Sequence, residues 1–310
     1  MTTKVTIVEV GPRDGLQSED VFVPTATKIE LVNMLSASGL PQIEVSSFVQ
    51  PRVVPQLRDA AEVFTGIERR VGVRYAALVP NETGARRAVE ANADQLSAFV
   101  SASEQHNRLN TNMTVAESME ALRAIARLAG YVGIPARAYI VTAFGCPFEG
   151  RVPPSRVVEL ALRLSEFGFQ EIALGDTIGV ANPSQVADLF GELRGRLRGV
   201  RLAGHFHNAR GLGLANVLAA LKEGVTIFDS SAGGVGGCPV PPDSAGNIPT
   251  EDLVNMLESM GMVTGVDIDG VIKSARFLER ALGKKLPGLV KEVGPSWRIP
   301  YQGHTGCGPA

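Results

Sequence analysis

Short apolar runs alternate along this chain with longer stretches in which apolar residues recur every three or four positions. The short runs fall at 5–10, 42–46, 73–78, 95–100, 137–141, 171–174, 201–205 and 226–230. They are rich in Val, Ile and Ala and show little strict alternation, the pattern of parallel strands covered on both faces. The longer stretches read as amphipathic helices. Over 25–38, Ile29, Val32 and Leu35 share one stripe, and Gly39 follows as a C-terminal stop. Thr114 and Glu117 have capping-box spacing ahead of Met119, Leu122, Ile125 and Leu128. Asn182-Pro183 fits an N-cap with proline at the first helical position, and Gly168, Gly224 and Gly261 close other helices.

Eight strand–helix units in strict order imply a parallel sheet, and eight favour a closed α/β barrel of the (β/α)8 TIM type. The expected domain is single, spanning 1–310, with a barrel core over about 4–265 and a helical extension and tail over 266–310. The rival is an open doubly wound sheet. Its glycine-rich turn after the first strand is replaced here by Gly11-Pro-Arg-Asp-Gly15, and Gly211-Leu-Gly213 is too incomplete for a dinucleotide motif.

Composition narrows the partners. The net charge of −2 gives no support to nucleic-acid or membrane binding, so neither is expected. No leader pattern opens the chain, and no apolar stretch reaches the roughly 18 residues that span a bilayer. Cys146, Cys238 and Cys307 are too few and too scattered for a disulfide framework, which points to a reducing compartment, read as cytoplasm.

Two of the four histidines stand in Leu202-Ala-Gly-His205-Phe-His207 at the end of the seventh strand. Residues i and i+2 of a strand face the same side, so both imidazoles can approach one point. Bonding to neighbouring carboxylates is the alternative. Active sites of such barrels lie at the carboxyl ends of the strands, and the suspicious residues converge there. Arg13 and Asp14 follow strand one, Glu44 and Ser47 end strand two, and Asp176 follows strand six. Cys238 and Asn247 lie in the glycine-rich loop after strand eight.

Asp14, His205, His207 and Asn247 would supply two oxygens and two nitrogens to a divalent cation. Such a set suits Mg²⁺ or Mn²⁺ and also allows Zn²⁺ or Co²⁺. Asp14 in an ion pair and Asn247 as a helix cap are the bland readings. Arg13 can stabilise an oxyanion or enolate, or simply pair with Glu44 or Asp176. Those acids orient Arg13, accept protons, or both. Cys238, beside four glycines in 233–237, can transfer a proton from a mobile loop or be a small buried thiol. Cys146 reads as structural, and His106 and His304 as surface residues.

Six segments, Glu9-Val-Gly-Pro-Arg-Asp-Gly-Leu-Gln17, Ile43-Glu-Val-Ser-Ser-Phe48, Gly145-Cys-Pro-Phe-Glu-Gly150, Leu174-Gly-Asp-Thr-Ile-Gly179, His205-Phe-His207 and Gly236-Gly-Cys-Pro239, carry a resemblance. Together they resemble the 3-hydroxy-3-methylglutaryl-CoA lyase family, within the metal-dependent TIM-barrel lyases and Claisen-condensing enzymes. The resemblance runs over about 4–282. It implies retro-Claisen cleavage of an acyl-CoA, Mg²⁺ or Mn²⁺ on Asp14, His205, His207 and Asn247, and an enolate held by Arg13. Glu44 and Asp176 would organise the site, and Cys238 would serve proton transfer. Ser47 and Asn110 would line the acyl-CoA pocket, and Gln17, Thr177, Gly236 and Gly237 would contact substrate. The resemblance also implies a homodimer. Departures fall at Asp20, where lysine is common, at Asn208-Ala-Arg-Gly211, and in the proline-rich run after Cys238. They bear on the preferred acyl group. The rival activities are a Claisen-type acyltransferase, a 2-oxo acid aldolase, a metal-dependent hydrolase and a non-catalytic binding barrel.

Overall fold

Eight parallel strands close on themselves in the computed structural model, which describes residues 2–237 and 246–298. They are β1 (Thr6–Glu9), β2 (Gln42–Ser47), β3 (Arg74–Leu78), β4 (Gln95–Ser101), β5 (Ala136–Val141), β6 (Glu171–Asp176), β7 (Arg201–Phe206) and β8 (Ile227–Ser230). Each pairs with the next, and β1 joins β8 in the register Thr6↔Ile227 through Glu9↔Ser230. The structure is therefore the expected closed barrel, not the open sheet.

Local signals act as the sequence implies. The helix Val115–Val132 starts on a complete capping box between Thr114 and Glu117, and Pro183–Arg196 starts on a second between Asn182 and Gln185. Gly168 ends the helix Pro154–Phe167 in the left-handed conformation. Strands β6 and β7 run further than their apolar cores predict, because Gly175 and Asp176 pair with His205 and Phe206. Beyond the barrel come the helix Ile268–Leu282 and the short turn Val290–Val293, with Arg298 paired to Asp269. Residues 299–310, with His304 and Cys307, lie outside the described residues.

The main core fills the layer between sheet and helices. Among the described residues the barrel interior carries a small apolar cluster, Val8, Val10, Leu78, Tyr139, Ala173, Ala203 and Ile227, with Phe99 and Val141 packed against it. Branched aliphatics usually fill such interiors. Here much of the remaining space goes to buried charge: Glu44, Arg137, Glu171 and Asp229 are all 3% exposed or less. Strand alternation puts Arg137 and Tyr139 on one face of β5, and Asp229 two residues from Ile227 on β8. This charged layer supports the carboxyl end of the sheet.

Candidate active site at the carboxyl end of the barrel

After β1 the chain turns tightly over Gly11–Gly15, with the N–H groups of Arg13, Asp14 and Gly15 all donating to the Val10 carbonyl. This turn aims Arg13 and Asp14 across the barrel mouth. Opposite stand His205 and His207, whose Nε2 atoms are 3.2 Å apart. The Oδ2 of Asp14 lies 3.9 Å from His205 Nε2 and 3.8 Å from His207 Nε2. One donor atom from each of Asp14, His205 and His207 thus falls within 4.8 Å of the others. A carboxylate oxygen and two imidazole nitrogens converging at one side of a cavity fit a divalent cation and leave positions for substrate.

Asp14 is held from behind. Its Oδ1 accepts from Arg13 Nη1 at 2.6 Å and from Gln17 Nε2 at 3.2 Å, and its Oδ2 accepts from Asn247 Nδ2 at 2.8 Å. Burial would raise its carboxyl, but Arg13 and the two imidazoles outweigh burial and hold it well below the usual carboxylate range. Asn247 enters the site, bridged to His207. Its amide N–H donates to Asp14 Oδ2, which places the side chain beside the three converging ligand atoms and braces the carboxylate. It does not cap a helix, since Thr250–Ser259 begins with Pro249 at the cap position.

Arg13 is 5% exposed and keeps its charge against burial through Glu44 and Asp14. Its Nε donates to Glu44, whose other oxygen accepts from the Tyr139 hydroxyl at 3.2 Å. Burial pushes the Tyr139 phenol well above its ordinary value, so it stays a donor. Among the described residues Arg13 Nη2 makes no hydrogen bond, and Arg13 lines the cavity. The structure thus chooses between the two acids proposed to orient Arg13. Glu44 does so, whereas Asp176 accepts from the backbone N–H of Val180 (2.8 Å) and Ala181 (3.1 Å) and fastens the loop after β6. Burial raises the Asp176 carboxyl, partly offset by those N–H groups.

The cavity holds about 1060 Å³. Arg13, Asp14, Gln17, Asn110, Thr177, His205, His207, Gly236 and Gly237 line it, while Glu44, Asp176 and Asn247 stand behind the lining. Ser47 departs from its expected place on the pocket wall. It is 2% exposed, and its hydroxyl turns back to accept the Val49 N–H at 3.3 Å. Thr177 accepts the Thr142 N–H at 2.8 Å. Gly236 has φ +124°, and a Cβ there would lie 2.9 Å from Asn247 Nδ2, so this position demands glycine. Cys238 lies outside the described residues. Cys146, read as structural, is buried, its thiol 3.0 Å from Ser103 Oγ and its sulfur accepting the Phe148 N–H.

Several residues escaped the sequence reading. His106, read as a surface residue, is 9% exposed and lines the cavity, because its helix Glu104–Thr111 folds inward over β4. Lys284 and Lys285 reach the mouth from the end of the C-terminal helix. Asp229 lies with Oδ2 3.0 Å from His205 Nδ1. Arg137 lies with Nη2 2.5 Å from Asp229 Oδ1. The available signal was a lone charge inside each of two apolar strands.

Known proteins give the same picture. A family model described as HMGL-like matches residues 4–278. The chain is 49% identical over 290 residues to hydroxymethylglutaryl-CoA lyase of Bacillus subtilis, covering 94% of this chain and 97% of that one. It is 43% identical to mitochondrial hydroxymethylglutaryl-CoA lyase of Rattus norvegicus, covering 94% and 89%. A solved Bacillus subtilis HMG-CoA lyase superposes with a TM-score of 0.92 at 48% identity, covering 94% and 98%. A solved HMG-CoA lyase from Acinetobacter baumannii, in complex with coenzyme A and 3-methylmalate, gives 0.90 at 44%, covering 95% and 96%.

Proposed function

The chain belongs to the HMGL-like family, and from that premise we propose that it cleaves 3-hydroxy-3-methylglutaryl-CoA, or a close relative, to acetoacetate and acetyl-CoA. The observation that carries the reading is the convergence of Asp14, His205 and His207 beside Arg13 in one large cavity. A divalent cation on those three residues, Mg²⁺ or Mn²⁺ by its oxygen-and-imidazole preference, would supply Lewis acidity that makes a substrate hydroxyl easier to deprotonate.

In the reaction the C3 hydroxyl gives its proton to a base at the site, its oxygen becomes the ketone of acetoacetate, and the C2–C3 bond breaks. The electron pair passes to the thioester as an enolate, which a proton then converts to acetyl-CoA. Arg13 meets the negative charge on the enolate oxygen through Nη2, while Glu44 and Tyr139 keep its guanidinium in place. Gln17 and Asn247 steady Asp14. Asp176 shapes the loop that carries Thr177 to the cavity. Cys238, one residue past the lining glycine Gly237, is the proposed acid for the enolate carbon. The acyl-CoA occupies the cavity toward Asn110, Gly236 and Gly237. No described helix is long and apolar enough to cross a membrane. The reading includes a cytoplasmic homodimer.

The test is acetyl-CoA release from hydroxymethylglutaryl-CoA, with and without chelator. Acetyl-CoA formed only with Mg²⁺ or Mn²⁺ present supports the reading. Release of free CoA would make the protein a hydrolase, and acetyl-CoA release indifferent to chelator would remove the cation.

A further inference from the structure

Beneath His205 lies a chain of buried charge that the reaction as derived does not use. Arg137 is 0% exposed, with Nη2 2.5 Å from Asp229 Oδ1 and Nε 3.2 Å from Glu171 Oε1. Its guanidinium lies over the Tyr139 ring at 4.7 Å. The second carboxylate oxygen of Asp229 lies 3.0 Å from His205 Nδ1. The edge of that imidazole also meets Tyr139, ring centres 5.9 Å apart at 84°. Glu171 passes the chain outward to Arg201 at 3.1 Å.

Stability alone does not account for such a group. Taking an arginine and two carboxylates out of water is costly, and well-packed apolar residues often serve a core as well or better. Geometry offers another account. An ionised carboxylate only accepts hydrogen bonds. With Oδ1 committed to Arg137, Oδ2 requires a proton on the facing imidazole nitrogen. His205 then carries its hydrogen on Nδ1, and Nε2 presents a lone pair toward Asp14 and His207. Partners of this kind fix the tautomer and ring orientation of metal-ligating histidines.

We propose that Asp229, held by Arg137, is a positioning residue that locks His205 in its Nδ1–H form, so that Nε2 faces the cation. The inference rests on the cation reading given above. It assigns Asp229 and Arg137 a role through His205, with no contact to substrate.

Asp229→Asn is the discriminating change. The Asn carbonyl must turn toward the Arg137 donors, because an amide N–H facing a guanidinium is repelled. The amide N–H then faces His205 Nδ1, drives the hydrogen to Nε2 and blocks the lone pair. Two readouts follow on the full chain after chelation. Nitrogen NMR of the histidines is expected to show His205 protonated at Nδ1 in the wild type and at Nε2 in D229N. Titration with Mn²⁺ alone, followed by electron paramagnetic resonance, is expected to show roughly 10- to 100-fold weaker binding in D229N. Glu171→Gln leaves the Asp229–His205 contact in place and is expected to bind Mn²⁺ within about twofold of wild type, by the same reasoning. An Nε2–H tautomer in the wild type overturns the proposal, as does undiminished Mn²⁺ affinity in D229N. If D229N does not fold, the wild-type tautomer decides alone. A wild type that shows the Nδ1–H form but takes up no Mn²⁺ leaves the His205 lock standing and sinks the cation reading instead.

Discussion

The carboxyl of Glu9 is the sharpest handle on how the barrel holds its own site. Glu9 closes β1 and is fully buried, and burial pushes its pKa from 4.5 to about 7 despite hydrogen bonds from Thr250, Ala232 and Gly11. Its Oε1 accepts the Gly11 N–H at 2.8 Å and the Ala232 N–H at 2.9 Å, while its Oε2 meets Thr250 Oγ1 at 2.7 Å. One side chain thus ties the turn bearing Arg13 and Asp14 to the loop leading toward Gly236. The folded protein retains a proton here that the unfolded chain releases above pH 4.5. Stability from this group is therefore complete below pH 4.5 and is lost as pH rises through about 7. A rise from 4.5 to about 7 corresponds to about 3 kcal/mol. Glu9→Gln keeps the shape and an acceptor for both N–H groups, and cannot ionise. Urea unfolding of both proteins at pH 5 and pH 8 is the assay. The variant is expected to gain on wild type by about 2.5 kcal/mol between those values. A gap that stays constant across the window would refute the reasoning.

Three further outcomes are expected. Arg13→Gln removes the enolate's charged donor and is expected to lower turnover by roughly 10² to 10³, while Mn²⁺ still binds. Gly236→Ala sets a methyl 2.9 Å from Asn247 Nδ2 at φ +124°. It is expected to cost about 1–3 kcal/mol in unfolding measurements and to depress activity, and full activity would show that the loop yields freely. Tyr139→Phe strips one donor from buried Glu44 and is expected to cost about 1–2 kcal/mol, with a fall in kcat exceeding any rise in KM.

The barrel was legible because its strands are covered on both faces. Burial leaves short apolar runs in most strands, broken by a few buried polar residues, and each boundary falls within two residues of its pattern. Helix starts at Thr114 and Asn182 were legible because a capping box is local chemistry. The convergence of Asp14, His205 and His207 could be read from strand order alone, since a closed barrel brings every carboxyl end to one face. Contacts across the barrel could not. Nothing near Asp229 in the chain announces Arg137, 92 positions away, and an isolated acid in a strand looks like a solvated one. Ser47 went astray because the irregularity between Glu44 and Ser46 in β2 upsets simple alternation. Asn247 was placed correctly, but which edge of its amide faces Asp14 is decided by a partner 233 residues distant.

The seam between β1 and β8 has a consequence for the newly made protein. Asp14 emerges from the ribosome with the first strand, whereas Asp229 and Asn247 emerge with and after the eighth. A nascent chain that stops at seven strands owns both imidazoles but lacks the strand against which β1 docks. Catalytic competence therefore waits for β8 and the Asn247 segment to be made, and a product cut short of β8 is expected to release no acetyl-CoA.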